Sequence, residues 1–96
     1  MTRRLHVEGQ ASLDISRAAL WYEGRREGLG LEFLDQLESL FQRIVESPLQ
    51  FPQVEGEVRR TLLLRFPHGV YFTQEEHRVS IQAVLHLHRH PDSWRR

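Results

Sequence analysis

The side chains most able to do chemistry gather in the last third of the chain: Arg59, Arg60, Arg65, Tyr71, His86, His88, Arg89 and Trp94. Guanidinium forks grip phosphate or carboxylate, and imidazoles can take up or release a proton near neutral pH. Such a set would hold an anionic partner or act on RNA. His86, His88 and His90 alternate and Asp92 follows, which on an extended strand would array three imidazoles near a carboxylate. Neighbours at i, i+2 lie roughly 6–7 Å apart on a strand, and Pro91 ends the strand beside His90. These residues therefore read as strand-end histidines, and no metal or other cofactor is expected. Cysteine is absent, which excludes disulfides, thiolate ligands and a cysteine nucleophile.

The charge is distributed unevenly along the chain. Up to Val58 there are six arginines against ten acids, and beyond it seven against three, so the halves carry −4 and +4 while the whole is neutral. The basic C-terminal half is the part expected to attract phosphate or an acidic peptide, although the halves could simply neutralise each other. All thirteen basic residues are arginine, and lysine and asparagine are both missing. The two missing types share AA-starting codons, so codon bias in a GC-rich genome explains the pattern without function. A length of 96 residues suits one domain with a modest core, residues 1–96. No secretory or membrane-length apolar run stands out, so a soluble cytoplasmic protein is expected.

The elements that must position these residues follow from periodicity. Leu5 and Val7 flank His6 in a short first strand. Ser12 offers a helix cap with Asp14 in the first turn, and Ile15, Ala18, Ala19 and Tyr22 fall at i, i+3, i+4 and i+7, predicting a helix over 12–26. Gly28-Leu29-Gly30 breaks it. A second helix carries Phe33, Leu37, Leu40, Phe41 and Ile44 and stops at Pro48, so the two form an antiparallel hairpin. Residues 49–57 read as a loop. Three strands follow, over 58–66, 70–73 and 79–88, with Pro67-His68-Gly69 as a turn and 74–78 as a hairpin loop. If Val79, Ile81, Ala83 and Leu85 pack on the helices, the open sheet face presents Arg59, Arg65, Tyr71, Thr73, Gln82, His86 and His88. The expected class is α+β, a helical hairpin on a small, strongly twisted antiparallel sheet. Trp21-Tyr22 reads as core rather than as a platform for stacked bases.

Taken in order, Asp14-Ile15, Ala18, Trp21-Tyr22-Glu23, Gly28-Leu29-Gly30, Phe33-Leu34, Pro48, Phe51-Pro52, Arg59-Arg60, Arg65-Phe66-Pro67, Tyr71-Phe72, Ala83-Val84-Leu85-His86, Arg89, Pro91 and Trp94 span nearly the whole chain. This pattern resembles the RelE/ParE superfamily of toxins from bacterial type II toxin-antitoxin systems. The resemblance implies a β-α-α-β-β-β fold, growth inhibition by the unbound toxin, and a cognate antitoxin whose acidic segment masks it in a hetero-oligomer. Arg59, Arg60, Arg65, Tyr71, His86, His88, Arg89 and Trp94 are then the expected target- or antitoxin-binding residues.

Two targets remain open under that resemblance. RelE-like members cleave mRNA on the ribosome, for which Arg65, His86 and Arg89 could supply a basic and proton-transferring cluster. ParE-like members inhibit DNA gyrase without hydrolysis. Tyr71 stands where RelE-like nucleases often carry an arginine, there is no lysine, and Trp94 replaces a terminal tyrosine, so the ParE-like reading is preferred. A remnant that binds its antitoxin without activity is the third possibility.

Overall fold

A computed structural model describes residues 3–89. The order of elements is strand β1 (Arg4–Val7), helix α1 (Gly9–Arg25), helix α2 (Leu29–Glu46), a 3-10 turn (Pro48–Gln50), and strands β2 (Gln53–Glu55), β3 (Val58–Leu62), β4 (His68–Gln74) and β5 (Arg78–His86). The sheet order is β1-β5-β4-β3-β2. The class is α+β as expected, with two corrections. A short β2 lies inside the stretch read as a loop, paired antiparallel to β3. The sheet is also mixed, because β1 runs parallel to β5, pairing Leu5 with Val79 and Val7 with Ile81. The helical hairpin supplies the long crossover that a parallel pair requires.

The helices form where the apolar spacing placed them. On α2, Phe33, Leu37, Leu40, Phe41 and Ile44 are buried; on α1, Tyr22 is buried and Ile15, Ala18 and Ala19 are half-buried. The start of α1 differs. Glu8 occupies the cap position without a side-chain hydrogen bond, and the N–H of Ser12 donates to the Glu8 carbonyl at 2.9 Å, so Ser12 lies within the helix rather than capping it. Asp14 is thereby carried past the first turn. The turn to α2 is closed by Glu23, whose carboxylate accepts the N–H groups of Gly28 (2.9 Å) and Gly30 (3.0 Å). These are amides at the start of α2 that lack carbonyl partners within the helix. Gly28 has φ 87°, the left-handed region that glycine enters at least cost.

The strand over 58–66 ends at Leu62. Leu63 and Phe66 are both buried while Leu64 is 92% exposed, a spacing of three that strand alternation cannot provide. The segment 63–67 is therefore a loop. His68, read as part of a turn, begins β4 instead, where it is buried in line with Val70 and Phe72.

A bulge in β5 has the largest consequence for the site. Tyr71 pairs with Ala83 and Phe72 with Ile81, leaving Gln82 as the extra residue. One extra residue reverses the faces of all that follow. Val79, Ile81 and Val84 join the core under the helices, whereas Ala83 and Leu85 pack with Tyr71 and Val58 on the opposite face. The expected shared face of Val79, Ile81, Ala83 and Leu85 is thus split in two.

Candidate functional site

The bulge turns His86 toward the helices. There it lines a cleft of about 330 Å³ between α1 and the end of β5, together with Gln10, Asp14, Arg17, Ala18, Trp21, His68, Val84, Leu85 and Arg89. The α1 wall is one stripe, since residues 10, 14, 17, 18 and 21 recur at helical spacing. Asp14 fastens this wall to the bulge: its Oδ2 accepts the N–H of Val84 at 3.1 Å.

His68 joins the cleft to an aromatic cluster of the core. His68 Nε2 and the Tyr22 hydroxyl form a buried hydrogen bond at 3.0 Å, and Tyr22, Phe33, Phe66 and His68 pack ring to ring with centroids 4.8–5.6 Å apart. Burial pushes the Tyr22 phenol above its ordinary pKa, partly opposed by the positive charge of Arg89. The rings of His68 and His86 lie 5.4 Å apart. His86 Nδ1 accepts the backbone N–H groups of His88 (3.1 Å) and Arg89 (3.3 Å), which turn the chain as it leaves β5. In the neutral ring the proton therefore sits on Nε2. The turn sets the Arg89 guanidinium 4.5 Å from the centre of the Trp21 ring, and Arg25 approaches the same indole at 4.3 Å.

The structure disperses the other expected site residues. Arg59 pairs with Phe72, so it lies on the helix-facing side, where Nη1 donates to the Phe51 carbonyl at 2.6 Å. Arg60, opposite Tyr71, is the arginine of this pair that reaches the other face, the reverse of the expected assignment. Arg65 is not on a strand; from the 63–67 loop its guanidinium bonds Glu32 at 3.1 Å, and Glu32 also receives Arg26 at 2.8 Å. Both arginines hold the Glu32 carboxyl below its ordinary pKa, the Arg26 hydrogen bond most strongly. Arg65 thus lines a second groove of about 360 Å³ with Leu62, Leu63, Leu64 and the side of α2 around Arg43. Tyr71 is on the face away from the helices but is only 2% exposed. Gly69 makes room for its ring, since a Cβ there would meet Tyr71 Cε1 at 3.2 Å and Leu87 Cδ2 at 3.1 Å.

Thr73 and Gln82 do share the face away from the helices, joined at 3.3 Å. His88 lies beyond the end of β5, exposed in the turn, its ring 5.8 Å from that of His86. Trp94, like His90 and Asp92 of the alternating histidine series, lies outside the described residues. Among the described residues no three metal-ligating side chains cluster, and no helix is long and apolar enough to cross a membrane.

Sequence reasoning found His86 and Arg89 but missed Gln10, Arg17 and His68 as companions, and assigned Asp14 and Trp21 other roles. The stripe at residues 10, 14, 17 and 21 was a readable signal. For His68, the readable signal is its matching parity with Val70 and Phe72, which carries that strand back to residue 68.

The arrangement defines an α+β domain in which a helical hairpin covers one face of a five-stranded mixed sheet, with a polar cleft at the α1/β5 edge. No protein-family model and no curated protein sequence matches this chain. Among solved structures, the fold is shared with a chain of the chromosomal ParDE TA system from P. aeruginosa. The TM-score is 0.73 at 17% identity, over 86% of this chain and 94% of that one. At that identity the likeness establishes a ParE-like fold.

Proposed function

We propose that this chain is the toxin of a type II toxin-antitoxin system, a ParE-like growth inhibitor that acts by binding DNA gyrase and is neutralised in the cytoplasm by an antitoxin with an acidic segment. The shared fold with the ParDE chain supports the toxin reading. Separation of the residues that could cleave RNA supports binding over hydrolysis. Arg65 is held by Glu32 in the groove beside α2, while His86 and Arg89 line the α1/β5 cleft. In-line cleavage of a phosphodiester needs its charge-stabilising and proton-transferring groups around one phosphorus. The division of Arg65 from His86 and Arg89 between two grooves is what supports the gyrase-binding reading over a RelE-like use of those three residues.

Expression without the antitoxin is expected to arrest growth, relax plasmid supercoiling and induce a DNA-damage response, and the purified protein is expected to inhibit gyrase supercoiling in vitro. The double substitution Arg65→Ala/Arg89→Ala is expected to abolish toxicity. Transcripts cut at ribosomes with gyrase unaffected would overturn the proposal in favour of an endoribonuclease, and undiminished growth would leave a binding remnant.

A further inference from the structure

The α1/β5 cleft has the size of a small-molecule site, and its mixed lining includes several cationic and hydrogen-bonding side chains. Arg17 enters from α1 and Arg89 from the turn after β5, so two guanidinium groups line one cavity from different elements. Neither forms a salt bridge among the described residues. The acid in the wall, Asp14, is directed at protein donors, accepting the Val84 N–H and the Gln10 amide (3.5 Å). With the histidines neutral, the described residues of the lining carry one net positive charge. A cavity of about 330 Å³ falls at the lower end of ligand sites, roughly 300–1,000 Å³, and suits one nucleotide rather than an oligonucleotide.

We propose that this cleft binds a nucleoside monophosphate, with the phosphate held by Arg17 and Arg89 and the base stacked on Trp21. Arginine forks match the paired oxygens of a phosphate. Arg89 now rests over the Trp21 ring, which is 41% exposed. A phosphate is the stronger partner for a guanidinium, because the attraction between an exposed cation and a ring is weak. Arg89 therefore turns from the indole to the phosphate, and the indole face it leaves takes the base. His86 lines the same cleft. This inference does not rest on the toxin reading.

The test uses the full chain carrying Trp94→Phe, so that Trp21 is the remaining tryptophan. Adenosine and uridine monophosphates, free adenosine and inorganic phosphate are titrated while the Trp21 fluorescence and indole N–H resonance are followed. The monophosphates are expected to move both signals with Kd of about 0.1–1 mM. Adenosine and phosphate alone are expected to bind at least about tenfold more weakly, because each keeps one half of the recognition. Arg17→Gln/Arg89→Gln is expected to weaken monophosphate binding by about tenfold or more, with circular dichroism unchanged because both side chains are exposed. Arg78→Gln, at the opposite end of β5, is expected to leave affinity unchanged. A silent Trp21 at about 10 mM monophosphate, equal affinity in the double variant, or phosphate binding as tightly as the nucleotide would each overturn the proposal.

Discussion

The substitution Gly30→Ala tests the packing of α1 on α2, and with it the position of the whole α1 wall of the cleft. A Cβ at residue 30 would lie 2.6 Å from the Ala19 carbonyl oxygen and 3.0 Å from Glu23 Oε1, whereas ordinary contact begins near 3.4 Å. The obstacle at Ala19 is helix backbone, so the helices would have to part by ~0.8 Å, with a cost in the range of core overpacking, about 1–3 kcal/mol. The same shift loosens the bonds from Gly28 and Gly30 to Glu23, adding about 1 kcal/mol. Alanine's better helix propensity returns less than about 1 kcal/mol, because residue 30 lies in the first turn of α2. The expected net loss is therefore about 2 kcal/mol, which in a chain of this size lowers Tm by roughly 8–16 °C. Urea denaturation and calorimetry would measure it.

Two companion variants separate the causes. At Gly24, near the end of α1, an added Cβ meets nothing within 4 Å, so Gly24→Ala is expected to leave Tm unchanged or raise it. Gly28 also has open space but a φ of 87°, so Gly28→Ala is expected to cost about 1 kcal/mol through backbone strain. A Gly30→Ala protein as stable as the parent, or one that moves with Gly24→Ala, would refute the close crossing.

Two further predictions concern protonation. Tyr22→Phe removes a buried hydrogen bond to His68 and should cost about 1–2 kcal/mol in urea unfolding. The Tyr22 pKa is raised in the fold, so its contribution is complete below the unfolded value near about 10 and disappears as pH rises through the folded one. The parent should accordingly lose more stability than Tyr22→Phe across that window, and parallel curves would contradict the buried phenol. Glu32 is shifted downward, so its contribution is present above the unfolded value of about 4.3 and is lost as pH falls through the folded one. Carbon-detected NMR titration should show Arg26→Ala raising the Glu32 pKa more than Arg65→Ala; the opposite order would refute the ranking.

Both helices, their antiparallel hairpin and the buried stripe Phe33, Leu37, Leu40, Phe41 and Ile44 were legible in the sequence, because helical burial is a periodic and local property. The breaker at Gly28 was legible for the same reason. Strand β1 was visible, but its parallel pairing with β5 was not, since pairing joins residues more than seventy positions apart and depends on how the crossover packs. Strand β2 is three residues of ordinary polar composition and acquires its identity only from β3.

For the site, composition was informative and parity was not. The sequence alone determined which chemical groups exist here: arginines without lysines, histidines near the end, no cysteine, and two tryptophans. Tertiary structure decided where they meet. One unpaired residue, Gln82, carried His86 from the supposed open face into the α1/β5 cleft, beside an Asp14 and an Arg17 lying roughly seventy positions earlier in the chain. Strand alternation has a period of two, so a single bulge inverts every later assignment, and a bulge is set by the register between neighbouring strands rather than by the residues of either strand.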